Sequence, residues 1–450
     1  MKKINEWWDD FDKIKDNNGR IAAIRKIAGK GKEFYQELDI GTAFFEYIQP
    51  EFQKNCDMNG YAGFLESIRA DFPDMFAADA SWHVRHLIKY YICSSQPGKT
   101  KEIIGYLINN PLGEQPDVIF DIMDFLIING FTDDVWKILE VYYPIFDKSD
   151  KIIPAGVMEL SILSSIFIIN KNIGLNGEFD LGLIKKELEK FDYSQKGRYL
   201  MARLNILSKS NYVFRKWSRA DFQGKKAAEN LYYLTLEFAR FLSTEKKIDA
   251  NIAGFLQYCL ENYLHETEIS PGLEFNRQKA DEYLVALVGM FSLSRTRAFI
   301  TLCSIRLFYE FLDERQIIDN SIYSQAMQDI EYLKECMFKA FKKEMWKYRF
   351  AEKYLGQQKI NEKDMLETAA DFELKKDYPN ALHYVMEILG DNPQSYHALY
   401  LKYRISKKIG VMEEASLKMA YEEAKSQKAG KELLKLMEEE IGNMPKTGIG

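Results

Sequence analysis

The sequence predicts an all-α fold, an α-solenoid of stacked helical hairpins, on three observations. Proline and glycine are scarce, 11 and 26 in 450 residues, and the runs between them repeat their apolar residues at helical spacing with no convincing strand pair. The composition is 46% hydrophobic, 28% charged and 14% aromatic. That much apolar surface offsets the entropy of ordering and excludes a disordered or low-complexity chain. Finally, 450 residues exceed the size at which one core keeps growing, so two or three domains or an elongated stack is required, and the stack suits the chain better.

The elements follow in order. Residues 4 to 29 read as one or two short helices in which Trp7, Trp8, Phe11 and Ile14 form an apolar stripe. Exposed, the stripe is a docking site; buried, it caps the stack. From Phe34 to Phe52 and from Tyr61 to Phe72 aromatics recur at helical spacing, with Pro50 and Pro73 marking the breaks. Between Ser81 and Phe146 hairpins are clearer: Pro116 starts a helix at a favoured first-turn position, Gly130 stops it, and Thr132 reads as the N-cap of the next, with Asp133 and Asp134 in its first turn. Gly156 to Asn170 is apolar nearly all round, hence a buried helix. Its core, Leu160 to Ile169, is too short to cross a bilayer. Gly174, Asn176 and Gly177 mark a loop that closes an N-terminal region, 1–175. A middle region, 176–320, holds six further helices joined by short polar turns. A third, 321–450, opens on a stretch without breakers from Ser321 to Leu355. That stretch is either one long helix or a pair with a turn near Lys342.

The clearest internal repeat lies between Asn361 and Asn443. Ala381 and Ala415 stand 34 residues apart, each after a turn and at the opening of a helix. In the first unit Ala369, Phe372, Ala381, Val385, Ile388 and Pro393 set small residues where helices cross, bulky ones between them, and a proline where the second helix must stop. The second unit keeps Leu399, Gly410, Ala415 and Met419 but has no closing proline. These residues resemble the tetratricopeptide repeat. The resemblance implies a right-handed α-solenoid with tetratricopeptide-like C-terminal repeats and a capping helix. It also implies that the first helix of each hairpin lines a concave groove for an extended peptide or a partner helix. The groove positions so implied are Lys363, Leu366, Ala370 and Glu373 in the first unit, and His397, Tyr400, Arg404, Lys407 and Lys408 in the second. The second set is basic and aromatic, suited to a carboxylate-bearing ligand. The asparagines with which chaperone-binding members grip a C-terminal carboxylate are absent.

Other chemistries find little footing. A net charge of −6 spread along the chain makes nucleic acid or an anionic membrane a poor partner. Cys56, Cys93, Cys259, Cys303 and Cys336 are isolated, with no metal-knuckle or CxxC spacing, which points to a reducing compartment. The N-terminus has no apolar signal segment, so the location expected is cytoplasmic. His83 and His86 share a helix face without a carboxylate to complete a metal set. His265 lacks the second histidine of a zinc peptidase motif, and Asp9 with Asp12 or Asp133 with Asp134 reads as first-turn acids. Phosphate-binding and nucleophile motifs are missing, and no cofactor is called for. Two basic aromatic stretches stay open. Phe338 to Phe350 is a buried stripe with snorkelling lysines or a face for a membrane or an acidic partner. Asn211 to Arg219 is a loop whose aromatics anchor it or which contacts a phosphate or an acidic peptide.

The function expected is a non-catalytic scaffold that binds a protein or peptide partner. The alternative is an all-α enzyme or regulatory subunit whose site is assembled from residues far apart in sequence.

Overall fold

The structure, a computed structural model, describes residues 2–30, 37–54, 57–111, 116–149, 152, 154–173, 178–193, 197–209, 211–267, 273–289, 293–356, 362–411 and 413–442. Among them there is no strand, and the chain is all-α. Cys56, Phe34, Glu268, Pro271 and the predicted loop at Gly174, Asn176 and Gly177 lie outside the described residues. The chain divides into two units: residues 1–50 with 58–357, and residues 51–57 with 358–450.

Counting helices of nine residues or more, unit 1 contains α1 (Lys2–Asp12), α2 (Asn17–Ala28), α3 (Met58–Asp71), α4 (Ala80–Cys93), α5 (Pro97–Asn109), α6 (Pro116–Ile128), α7 (Thr132–Asp147) and α8 (Pro154–Asn172). It continues with α9 (Leu181–Glu189), α10 (Gly197–Ser208), α11 (Ala227–Thr244), α12 (Ala250–Thr267), α13 (Arg277–Val288), α14 (Arg295–Glu314) and α15 (Asn320–Ala340). Breaks fall where the punctuation residues stand. Gly130, at φ +85°, takes the left-handed turn after α6, and the Phe131 N–H closes it on the Leu126 carbonyl at 2.9 Å. α7 begins at Thr132 itself, so the cap position falls to Phe131 and Thr132 is not the N-cap.

Burial follows the apolar pattern. Every residue from Leu160 to Ile169 except Ile162 is buried, so α8 is the interior helix its composition demands. Phe11 is buried beneath Trp7, Trp8 and Tyr47, and the Trp8 Nε1–H donates to the Leu38 carbonyl at 3.2 Å, which covers the N-terminal stripe. Consecutive helices mostly pack on each other, but α14 also packs on α6, α11 and α12, and carries buried side chains nearly all round. In a solenoid each hairpin touches only its neighbours. Contacts between α6 and α14 join residues up to 175 positions apart, so a one-neighbour stack does not describe this interior. Helix α15 ends at Ala340, and 3₁₀ turns over Lys342–Lys347 lead to a short helix, Phe350–Leu355. The stretch without breakers is thus broken near Lys342. Its aromatic face is buried: Tyr348 stacks on Phe299 of α14 at 4.1 Å between ring centroids, with Phe338 and Phe341 alongside.

Unit 2 holds α16 (Glu362–Leu374), α17 (Tyr378–Asp391), α18 (Tyr396–Lys408), α19 (Glu414–Ser426) and α20 (Lys431–Gly442). Each packs on the next, and α16 also packs on α18. Asp377 and Ser395 cap α17 and α18 through the Asn380 and Ala398 N–H groups. Gly410, at φ +81°, turns the chain after α18. Ala369, Phe372, Ala381, Val385 and Ile388 fall in one buried cluster with Ala398, Leu401 and Ile405. In the second hairpin Leu399 is buried, but Ala415 and Met419 are exposed. Ser416, Leu417, Ala420 and Ala424 turn inward in their place. The buried small residue, Ser416, therefore follows Ala381 by 35 positions rather than 34, and five residues join α18 to α19 where three join α16 to α17.

Candidate functional site

In unit 2 the expected groove residues are placed by α18. Tyr396 and His397 set their rings 4.1 Å apart, and Tyr400 is buried beside Tyr403. Arg404, Lys407 and Lys408 lie within the last turn and a half of the helix, their side chains 45%, 48% and 45% exposed. Each is already paired. Glu373 of α16, only 2% exposed, takes Arg404 Nη2 at 2.8 Å and Lys408 Nζ at 3.0 Å. Glu440 of α20 takes Lys407 Nζ at 2.5 Å and the Tyr403 hydroxyl at 2.9 Å. The Lys407 hydrogen bond holds Glu440 below the usual carboxylate range. Glu373, itself an expected groove residue, thus lies against the second row of groove residues. Any acidic ligand must share these cations with two resident carboxylates. The exposed Lys407–Glu440 pair contributes only about 0–1 kcal/mol, so exchange there is energetically open, whereas Arg404 and Lys408 also hold the buried Glu373.

Unit 1 carries a second polar constellation, marked by no sequence motif. Asp121 of α6, 2% exposed, accepts from Arg85, from Lys89 Nζ at 2.6 Å and from Thr296 Oγ1 at 2.5 Å. One helical turn away Asp124 accepts from Arg297 Nε at 2.7 Å and Nη2 at 2.6 Å, and Arg297 also reaches Glu159 at 2.6 Å. Glu344 holds Arg295 and Lys347, each at 3.1 Å. Burial pushes Lys89 down to about 7 and Asp124 up to about 6, the latter against the pull of Arg297. Five basic and four acidic side chains nearly balance, as the low dielectric of an interior requires. Neither of the two cavities flanking α10 is lined by a member of this network.

His83 and His86 are aromatic-core residues. His83 sits among Phe44, Phe45 and Phe76, with neither ring nitrogen hydrogen-bonded among the described residues, and burial lowers it to about 3. His86 packs against Tyr61 and Trp346. Among the described residues no cluster of histidine, cysteine and carboxylate side chains has the geometry to hold a metal ion. In the loop from Asn211 to Arg219 the aromatics are anchors. The fully buried carboxylate of Glu237 accepts from the Tyr212 hydroxyl, the Arg215 N–H at 3.1 Å and Trp217 Nε1 at 2.6 Å. No described helix is long and apolar enough to cross a membrane.

Compared with known protein families, curated proteins and solved structures, the chain matches none.

Proposed function

We propose that the chain is a non-catalytic interaction scaffold. In this reading unit 2 is a tetratricopeptide-like hairpin array that takes an acidic peptide or partner helix along α18. The observation that carries the reading is the row formed by Arg404, Lys407 and Lys408, three half-exposed cations in one stretch of α18 whose charged ends are oriented by Glu373 and Glu440. Tethering supports binding, because long cationic side chains lose less freedom on meeting a ligand when resident carboxylates already orient them. His397 and the rim of Tyr400 supply an aromatic edge to the same row. A reducing, cytoplasmic setting fits the isolated thiols.

Fluorescence polarisation of a labelled Glu/Asp-rich helical peptide, titrated with the full chain, tests the reading. Replacing Arg404 alone strands the buried Glu373, so the informative variant is Glu373→Gln with Arg404→Gln, Lys407→Gln and Lys408→Gln. This variant removes cations and buried carboxylate together. Binding that weakens with added salt, and at least tenfold in the variant, is the expected outcome. Equal binding by wild type and variant removes α18 from the site.

A further inference from the structure

Unit 1 contains a cavity whose reading is independent of that of unit 2. Helices α8, α10, α11 and α12 enclose a cavity of about 340 Å³, within the range of small-molecule pockets. Its walls divide by chemistry. Ile166, Ile169, Ile173 and Leu207 make an aliphatic side, and Arg203 and Arg240 bring two guanidiniums, both only 6% exposed. No carboxylate is among the described residues that line it. Rim residues Thr244 and Ala250 are exposed, so the cavity communicates with solvent.

The two arginines are held from behind. Arg240 Nη1 donates to the carbonyls of Ile206 and Leu207, at 2.8 and 3.1 Å, at the C-terminal end of α10. Arg203 Nη2 donates to Gln257 Oε1, and its charge bears on Glu261 of α12. Two buried atoms of lining residues, Arg203 Nε and Ser208 Oγ, have no hydrogen-bond partner among the described residues. A buried donor without an acceptor is destabilising, and more so on a cation. Two guanidiniums beside an acid-free cavity favour an oxyanion, which a planar fork can bind through paired hydrogen bonds.

We propose that this cavity binds a small organic oxyanion, a carboxylate or phosphate ester on a short aliphatic body, with the head at Arg203, Arg240 and Ser208 and the body against Ile166, Ile169 and Leu207. Gly254 sets the depth of the pocket. A Cβ there would meet Ile166 Cγ2 at 2.6 Å, so only glycine lets α12 approach α8 this closely without displacing the apolar wall.

Isothermal titration of the full chain with hexanoate, hexyl phosphate, hexanol and hexylammonium tests the assignment. The expected result is saturable binding of one or both anions and none of the alcohol or the amine, and the stronger of the two anions identifies the head group. Arg203→Gln is expected to weaken that anion at least tenfold. Should Arg203→Gln fail to fold, Ser243→Leu decides, since it fills the cavity while both arginines stay, and it is expected to abolish binding. Absence of anion binding at about 10 mM, equal binding of hexanol, or retention of anion binding in Ser243→Leu overturns the proposal and leaves a water-filled cavity.

Discussion

The two units bury charge in opposite ways. In unit 1, Asp121, Lys89 and Asp124 are sunk in the interior and meet partners on α14 that are 173 to 207 residues distant. In unit 2, ion pairs flank thin apolar cores built from adjacent helices, and the cations stay half exposed. A buried network whose members all have partners fixes one arrangement of helices, because any other leaves a charge unpaired at low dielectric. A surface row fixes little and stays available to a ligand. The contrast gives unit 1 a charge-locked interior and leaves unit 2 the exposed row on which the proposed function rests.

The largest effect that sharpens this contrast is expected from Asp121→Ala. It takes from the buried Lys89 and the half-buried Arg85 the carboxylate they touch, and about 3–5 kcal/mol should be lost in urea unfolding of the full chain. A loss under about 1 kcal/mol would mean that water reaches these groups and that the interior is not sealed.

Next come two leucine substitutions at the predicted repeat positions. Ala381→Leu overpacks a fully buried site and should cost about 1–3 kcal/mol. Ala415→Leu, at an exposed site, should stay within about 0.5 kcal/mol. Equal costs would restore the 34-residue register that the structure breaks.

A smaller effect concerns pH. Lys89 titrates near 7 when folded and about 10.5 when unfolded, so between those values the unfolded chain binds more protons and stability rises with pH. Between pH 7 and 9 the gain should be about 1–2 kcal/mol, and Lys89→Met should flatten it. A wild-type profile as flat as that of the variant would place Lys89 in contact with solvent.

How much of this was legible in the sequence depends on the range of the interaction. Local periodicity revealed the helices, the burial of Leu160 to Ile169 and the repeat cluster around Ala381, since each depends on residues three or four apart. The two open readings of Phe338 to Phe350 were settled only by Phe299, some forty residues earlier, on which Tyr348 stacks. The same limit applies to the Asp121 and Thr296 pair, which no spacing rule connects. In the second hairpin, two extra turn residues follow Lys408 and Ser416 turns inward, so Ala415 matched the repeat in letter and not in place. The groove residues were legible as a row, but Glu373 and Glu440 were not visible as the acids that neutralise it. Nor did any motif mark the cavity arginines, which come from separate helices.

Hydrogen exchange of the full chain, with and without a saturating acidic helical peptide, tests the division between the units most directly. Slowed exchange is expected in residues 396–408 and in the neighbouring 362–374, with 80–93 and 295–314 unchanged and already slow in the free protein. Protection confined to 80–93 and 295–314, with 396–408 unaffected, would contradict it.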